Sequence, residues 1–204
     1  MIISAIKSKD VSDKRSVLHP ETIKNLISKG IEIIFESGIG DGIHVDDQTF
    51  IDLGAKPVSR ESCFSDAEII LTPSPIDDHE VKLIAGGKTL MGMVNPFDNQ
   101  DLLKNLRDSS VNLVSMEFVP RITRAQKMDV LSSQANLAGY VAVIESSALL
   151  SSAMPMMMTA AGTLKPARVF VIGVGVAGLQ AIATAKRLGA RVEAFDTRDV
   201  VEEQ

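Results

Sequence analysis

The sequence predicts an α/β protein of two lobes with parallel sheets, joined by a long helix. Three features of its 204 residues lead to this prediction: short apolar runs alternate with amphipathic stretches, one long segment rich in Ala and Ser follows them, and a glycine-rich turn lies near the end. Short strands that alternate with helices favour a mostly parallel sheet with helices on both faces.

The first lobe is predicted over residues 1–132. Apolar runs predict its strands at residues 2–6, 31–35, 68–71, 89–94 and 111–114. Three helices are predicted at residues 20–30, 46–54 and 98–107. The first begins at Pro20, after His19, and ends at Gly30, because Pro suits the first turn of a helix and Gly its end.

A connector is predicted over residues 133–165. Residues 133–152 are rich in Ala, Leu, Val and Ser, a composition typical of one long helix. Pro155 and the segment 162–166 are expected to end that helix. We expect the connector to join two lobes that face each other across a cleft.

The most informative motif begins at Arg168. An apolar strand is predicted over residues 168–172, a helix over residues 179–188 and a second strand over residues 191–195. Between the first strand and the helix lies the sequence GVGVAG, a complete G-x-G-x-x-G motif. In this strand-turn-helix context the motif predicts a Rossmann-like dinucleotide site.

Each glycine of the motif has a physical role. Gly173 is expected to make the tight turn, Gly175 to let the backbone approach a pyrophosphate, and Gly178 to let helix and strand pack closely. The pyrophosphate would lie against free N–H groups at the helix start, where Val176 and Ala177 lie, because the helix dipole favours an anion there.

An acidic residue, Asp196, ends the second predicted strand. Its carboxylate can accept hydrogen bonds from both ribose hydroxyls and would repel a 2'-phosphate, so the motif favours NAD(H) over NADP(H). Thr197 and Arg198 complete the predicted cofactor-binding residues, and the charge of Arg198 weakens the preference for NAD(H). The alternative is a glycine-rich turn in some other parallel sheet, with Asp196 as a solvated strand end.

The predicted second lobe covers residues 166–204. A complete dinucleotide-binding lobe has about six strands. Because Gln204 follows shortly after the second strand of this lobe, we expect the lobe to be incomplete in this chain.

Composition argues against several classes of function. The net charge of −5, without a basic stripe, argues against nucleic acid as a partner. Cys63 is the only cysteine, which excludes an intrachain disulfide and fits a reducing, cytosolic compartment. The three histidines are scattered, so no metal site is predicted. The longest apolar region, residues 137–162, contains Glu145 and Pro155, so no membrane span is expected.

From Glu117 onward the sequence resembles the nucleotide-binding alpha subunit (domain I) of the proton-translocating NAD(P) transhydrogenases. The resemblance is carried by PRITRAQKMDVLSSQANLAGY at residues 120–140, PMMMTAAGT at 155–163 and GVGVAGLQAIATAKRLGA at 173–190. The first lobe resembles the family more loosely, mainly at RSVLHP, residues 15–20. Alanine dehydrogenase resembles this family and shares the two-lobe plan.

The resemblance implies a loop with four residues that face the nicotinamide. Arg121, Asp129 and Ser132 would hold the carboxamide and organise the loop. Gln126 would help to position two nicotinamide rings. The alternative is a polar loop in which Arg121 and Asp129 are merely paired.

The resemblance also implies an activity and partners. The activity is that of an NAD(P)+ transhydrogenase, Re/Si-specific and proton-translocating, in which NADH bound to this chain passes hydride to NADP+. The implied partners are a domain that carries NADP(H), a membrane-spanning subunit and a second copy of the chain in a homodimer. The chain would lie at the cytoplasmic face of the bacterial inner membrane, attached only through these partners.

Two other functions stay open: an amino-acid or keto-acid dehydrogenase similar to alanine dehydrogenase, and a non-catalytic binding module. The dehydrogenase needs a Lys and a His near the substrate carbonyl. The expected positions, residues 72–74 and 91–95, contain neither, and the absent Lys departs from most transhydrogenases as well. Without these two side chains, Arg15 is expected to be an ordinary loop arginine rather than a carboxylate ligand.

Overall fold

The computed structural model describes residues 1–198, and the last six residues of the predicted lobe 166–204 lie outside the described residues. The chain divides into two compact units, Met1–Met128 and Asp129–Gln204. The first boundary lies close to the predicted lobe end at residue 132. The three-part division into residues 1–132, 133–165 and 166–204 stays a prediction.

The first unit is built on a six-stranded parallel sheet. Its strands are β1 (Ile2–Ala5), β2 (Glu32–Glu36), β3 (Lys56–Val58), β4 (Ile69–Thr72), β5 (Thr89–Gly92) and β6 (Asn112–Ser115). They are ordered β3-β2-β1-β4-β5-β6, and every neighbouring pair is parallel. The order reverses direction beside β1, as in a doubly wound sheet. The predicted α/β fold class is confirmed.

Side-chain caps mark the starts of several helices in this unit. They are α1 (Pro20–Ile27), α2 (Asp47–Asp52), α3 (Arg60–Asp66), α4 (Asp78–Leu83) and α5 (Gln100–Asp108). His19 caps α1, since its Nδ1 accepts a hydrogen bond from the Glu21 N–H at 3.4 Å. Asp46 caps α2 through the N–H of Thr49 at 2.8 Å. Such caps satisfy amides that have no partner inside a helix.

Apolar side chains fill both faces of this sheet. One cluster contains Phe64, Ile70 and Leu106, and the other contains Phe35 and Phe50, whose rings meet edge to face at 5.4 Å. The sheet is therefore a buried layer between helices. Because helices cover both faces, ligands of such a doubly wound sheet bind at the carboxyl ends of its strands and at the loops that follow them.

The second unit begins with a long helix, α6 (Val130–Leu149). After it come an antiparallel hairpin, β7 (Met157–Thr159) with β8 (Gly162–Leu164), and then β9 (Arg168–Ile172), α7 (Val176–Arg187) and β10 (Arg191–Phe195). β9 and β10 pair in parallel, from Arg168 opposite Arg191 to Ile172 opposite Phe195. The strand-helix-strand order predicted from the glycine motif is present.

The long helix packs against α7 within this unit. A Cβ added at Gly139 in α6 would lie 2.1 Å from the carbonyl oxygen of Ala177, so only glycine allows the two backbones to approach so closely. The helix extends over Val130–Leu149 rather than the predicted residues 133–152. It begins earlier because the side chain of Asp129 caps it, and it ends earlier because the backbone is already extended at Leu150. Among the described residues, no helix has the length and apolarity needed to cross a membrane.

Candidate dinucleotide-binding site

The turn after β9 is closed by its backbone. Gly173 has a φ of +90°, a left-handed conformation that favours glycine. Its N–H donates to the carbonyl oxygen of Phe195 at 2.7 Å, which joins the turn to the end of β10. The turn and the strand end that carries Asp196 are therefore held together.

Gly178 is the point where α7 comes closest to the turn. A Cβ there would lie 1.8 Å from the carbonyl oxygen of Gly173, much too near for any side chain. The helix can begin directly above the strand only because this side chain is a hydrogen. This is the close packing of helix and strand that the third glycine of such a motif permits.

The first turn of α7 presents N–H groups that have no partner inside the helix. Gly175 is the N-cap and provides no side chain to bond them, and the first turn contains no acidic residue. The first amide bonded within the helix is that of Leu179, which donates to the Gly175 carbonyl at 2.8 Å. The amides of Val176, Ala177 and Gly178 thus precede the first helical hydrogen bond and are suited to an anion.

The space beside Gly175 is open. The nearest atom to a Cβ built at this glycine is Nη2 of Arg198, at 4.0 Å. An open turn, free amides and the positive end of a helix dipole fit a diphosphate group. The residues present therefore fit the central part of a dinucleotide.

Asp196 is already hydrogen-bonded on both carboxylate oxygens. Oδ1 accepts from the backbone N–H of Arg198 at 2.9 Å and from its Nε at 3.0 Å. Oδ2 accepts from the N–H of Val174 at 2.7 Å and from Nη2 of Arg198 at 3.0 Å. The bonds from the Arg198 side chain, and then that from Val174, hold the pKa of Asp196 well below its usual range. Thr197 lies exposed between the paired residues.

The four predicted nicotinamide-facing residues lie in two places. Arg121 and Gln126 are exposed in the first unit, where Gln126 belongs to a 3-10 turn, Thr123–Met128, with the buried Ala125. Asp129 and Ser132 lie at the start of α6 in the second unit.

Asp129 and Ser132 contact each other. Oδ1 of Asp129 accepts from the Ser132 N–H at 2.8 Å, and Oδ2 accepts from the Ser132 hydroxyl at 2.6 Å. This pair fixes the start of the long helix. A role in organising the loop, which the family resemblance implies for both residues, is compatible with that geometry.

The structure adds residues that the sequence did not single out. The backbone N–H of Val174 donates to the Asp196 carboxylate, and the carbonyl of Phe195 accepts from the Gly173 N–H. Val174 and Phe195 contribute only backbone atoms to these bonds, so their side chains gave no signal in the sequence. Gly139 did leave a signal, since a glycine inside a helix indicates a close packing contact.

The carboxyl end of β4 lacks the dehydrogenase groups. The Thr72 hydroxyl donates to the carbonyl of Ser74, and Arg15 donates to the carbonyl of Pro73 at 3.2 Å. Arg15 also forms an ion pair with Asp13 at 2.7 Å. These contacts leave Arg15 as a loop residue held by its neighbours.

Comparison with known proteins shows two matching families of domains. The family model described as "Alanine dehydrogenase/PNT, N-terminal domain" matches residues 6–138, and "Alanine dehydrogenase/PNT, C-terminal domain" matches residues 142–204. Together they cover almost the whole chain.

Individual relatives include transhydrogenase subunits. An NAD(P) transhydrogenase alpha subunit of Rhodospirillum rubrum is 44% identical over 211 residues, which cover 100% of this chain and 55% of the relative. A solved transhydrogenase structure from Sinorhizobium meliloti has a TM-score of 0.95 at 41% identity, covering 100% of this chain and 58% of that one.

Alanine dehydrogenase is similar at lower identity. The enzyme of Halomonas elongata is 28% identical over 186 residues, which cover 89% of this chain and 50% of the relative. The chain thus spans about half the length of the curated relatives it matches.

Proposed function

The chain belongs to the alanine dehydrogenase/PNT family, and from that premise we propose that it is the NAD(H)-binding component of a proton-translocating transhydrogenase. The observation that supports this proposal most directly is the open turn at Gly173–Gly178, where α7 begins without a side-chain cap and the N–H of Val174 donates to the Asp196 carboxylate. The 44% identity to a transhydrogenase alpha subunit supports this function over that of the more distant dehydrogenases.

Under this proposal the second unit holds the dinucleotide. The amides of Val176, Ala177 and Gly178 bind its diphosphate, and Asp196 binds the adenosine ribose. The uncharged backbone donors stabilise the phosphates in any protonation state of the side chains, so binding in the neutral range needs no titrating group. When bound, NADH supplies the hydride.

We assign the nicotinamide end to the loop residues. Gln126 orients the ring and Arg121 holds the carboxamide, while the bonds between Asp129 and Ser132 keep the helix start rigid. Direct hydride transfer requires two ring carbons to be close and correctly oriented in a site without water. An amide side chain can fix a carboxamide without giving up or taking a proton.

The proposed partners follow from the family. They are a domain that carries NADP(H), a membrane-spanning subunit and a second copy of this chain. The complex would lie with this chain at the cytoplasmic face of the bacterial inner membrane, and proton movement would be coupled through the membrane-spanning partner.

The experiment is an assay of nucleotide exchange in the assembled complex. The protein, expressed with its whole natural reading frame, is combined with its NADP(H)-binding and membrane partners, and reduction of NADP+ by NADH is followed. We expect turnover that requires all partners and vanishes when this chain is omitted. Robust oxidation of NADH by pyruvate and ammonia without any partner would contradict the proposal and favour the dehydrogenase function.

A further inference from the structure

The carboxylate of Asp196 has no acceptor position to spare. A carboxylate offers about four lone-pair sites, and four donors contact this one: two backbone N–H groups, from Val174 and Arg198, and Nε and Nη2 of the Arg198 side chain. A ribose diol that approaches Asp196 therefore has to replace existing donors.

The four donors differ in how easily they can leave. The amide of Val174 belongs to the glycine turn, and the amide of Arg198 is fixed by the backbone beside Asp196. The Arg198 side chain is 57% exposed, whereas that of Asp196 is 8% exposed. The guanidinium is thus the exchangeable partner, and it occupies two acceptor positions, the number that the 2'- and 3'-hydroxyls of a ribose require.

The guanidinium also changes the net charge at the proposed ribose-binding position. Asp196 alone would repel a 2'-phosphate, but Asp196 with Arg198 is a neutral pair. Nη2 of Arg198 lies 4.0 Å from the Cβ position of Gly175. The guanidinium is therefore close to the turn that is proposed to bind the diphosphate. A guanidinium presents planar paired donors that match a phosphate group.

From these contacts we propose that Arg198 sets how strongly this site discriminates between NAD(H) and NADP(H). In the free protein its side chain takes the place of the ribose diol on Asp196, so NAD(H) binds by displacing it. A nucleotide with a 2'-phosphate meets the same side chain as a favourable partner. The inference rests on the proposed function, because it concerns the same dinucleotide site.

The test measures two dissociation constants in matched variants. Calorimetric titration with NADH and with NADPH is carried out on the wild-type protein, on Arg198→Met, and on Arg191→Ala as a control. Arg191 is also an exposed arginine of this unit but lies at the opposite end of β10. Thermal unfolding of each variant verifies that it is folded.

We expect Arg198→Met to change the two constants in opposite directions. NADH should bind about threefold more tightly, since the Arg198 side chain no longer competes for the Asp196 carboxylate. NADPH should bind about tenfold more weakly, since the Asp196 charge is no longer balanced by a cation. Arg198→Lys, which keeps the charge but loses the paired donors, should retain most of the NADPH affinity. Arg191→Ala should change neither constant.

Each other outcome has a distinct meaning. If the wild-type protein binds NADH and Arg198→Met leaves the ratio of the two constants unchanged, or weakens both, the role of Arg198 is refuted while the proposed function stands. If the wild-type protein binds neither nucleotide, the proposed function is refuted and this inference with it.

Discussion

At the scale of single residues, Gly175 and Gly178 lie in the same turn but in different surroundings. A methyl group at Gly178 would meet the Gly173 carbonyl at 1.8 Å, whereas one at Gly175 would meet no atom nearer than 4.0 Å. The φ of −83° at Gly175 is one that alanine adopts easily. The two glycines should therefore respond differently to the same substitution.

We expect Gly178→Ala to lower the free energy of unfolding by about 1–3 kcal/mol, because the helix must move away from the turn. We expect Gly175→Ala to keep its stability but to weaken NADH binding by about tenfold, since its methyl group takes space needed by the diphosphate. Urea unfolding and NADH titration measure both effects. Equal stability of the two variants would refute the packing argument, and undiminished NADH binding by Gly175→Ala would refute the diphosphate position.

Gln126 tests the nicotinamide end of the proposal. Its side chain is exposed in the 3-10 turn Thr123–Met128, so replacing it should leave the fold unchanged. We expect Gln126→Ala to slow hydride transfer about a hundredfold through lost orientation, with an unchanged dissociation constant for NADH. Single-turnover kinetics in the assembled complex measure the rate. Lys127→Ala, in the same turn, is the control, and an equal loss in both variants would argue for a general effect on the loop.

At the scale of secondary-structure elements, the start of α6 depends on one carboxylate. Asp129 accepts both the amide and the hydroxyl hydrogen of Ser132. Replacing an N-cap residue by alanine costs about 1 kcal/mol. We expect Asp129→Ala to lower the free energy of unfolding by that amount and Asp129→Asn, which keeps an acceptor oxygen, to lower it less. Thermal unfolding compares the two, and identical losses would contradict the capping role.

An ionic network around the buried Glu80 joins several elements of the first unit. Arg60 at the start of α3 donates to Glu80 in α4 and to Glu36 in β2, both at 2.7 Å, and Lys9 pairs with Glu80 at 2.8 Å. Burial alone would raise the pKa of Glu80, which is 3% exposed, but hydrogen bonds from Lys9 and Arg60 outweigh it and lower that pKa below its usual 4.5. The network ties loops at the carboxyl edge of the sheet.

This lowered pKa predicts an acid-sensitive first unit. A carboxyl group whose folded pKa is depressed stabilises the fold above its unfolded pKa and loses that contribution as the pH falls through the folded value. We expect stability to decline below about pH 4.5. Glu80→Gln should lower the free energy of unfolding at pH 7 by about 1–3 kcal/mol and flatten the decline. Urea unfolding across pH measures this, with the exposed Glu193→Gln as control, and an unchanged decline in Glu80→Gln would contradict it.

Sequence patterns predicted the strands and helices whose first and last residues are marked by neighbouring residues in the chain. β9 and β10 have the predicted bounds, because a glycine turn and a short connection delimit two apolar runs. The prediction missed β3, a three-residue strand at the sheet edge that contains Pro57 and has no apolar run. Pairing with β2, rather than its own composition, makes this segment a strand.

At the scale of the whole molecule, the family was predictable because its motifs are contiguous. The runs at residues 120–140, 155–163 and 173–190 indicated the family that both domain matches then showed. The pairing of Asp196 with Arg198 was not predictable. It depends on a side-chain conformation and on the Val174 amide, which the linear motif does not specify. The ionic network around Glu80 was missed for a similar reason, since its partners come from distant parts of the chain.

The central claim is that a dinucleotide lies against the amides of the turn after β9. Titration of the 15N-labelled protein with NADH, followed by the shifts of its backbone amides, tests this claim most directly. We predict saturable changes that are largest at residues 174–178 and at Asp196, and small at the hairpin of β7 and β8. Changes at residues 174–178 no larger than those at the hairpin would contradict it.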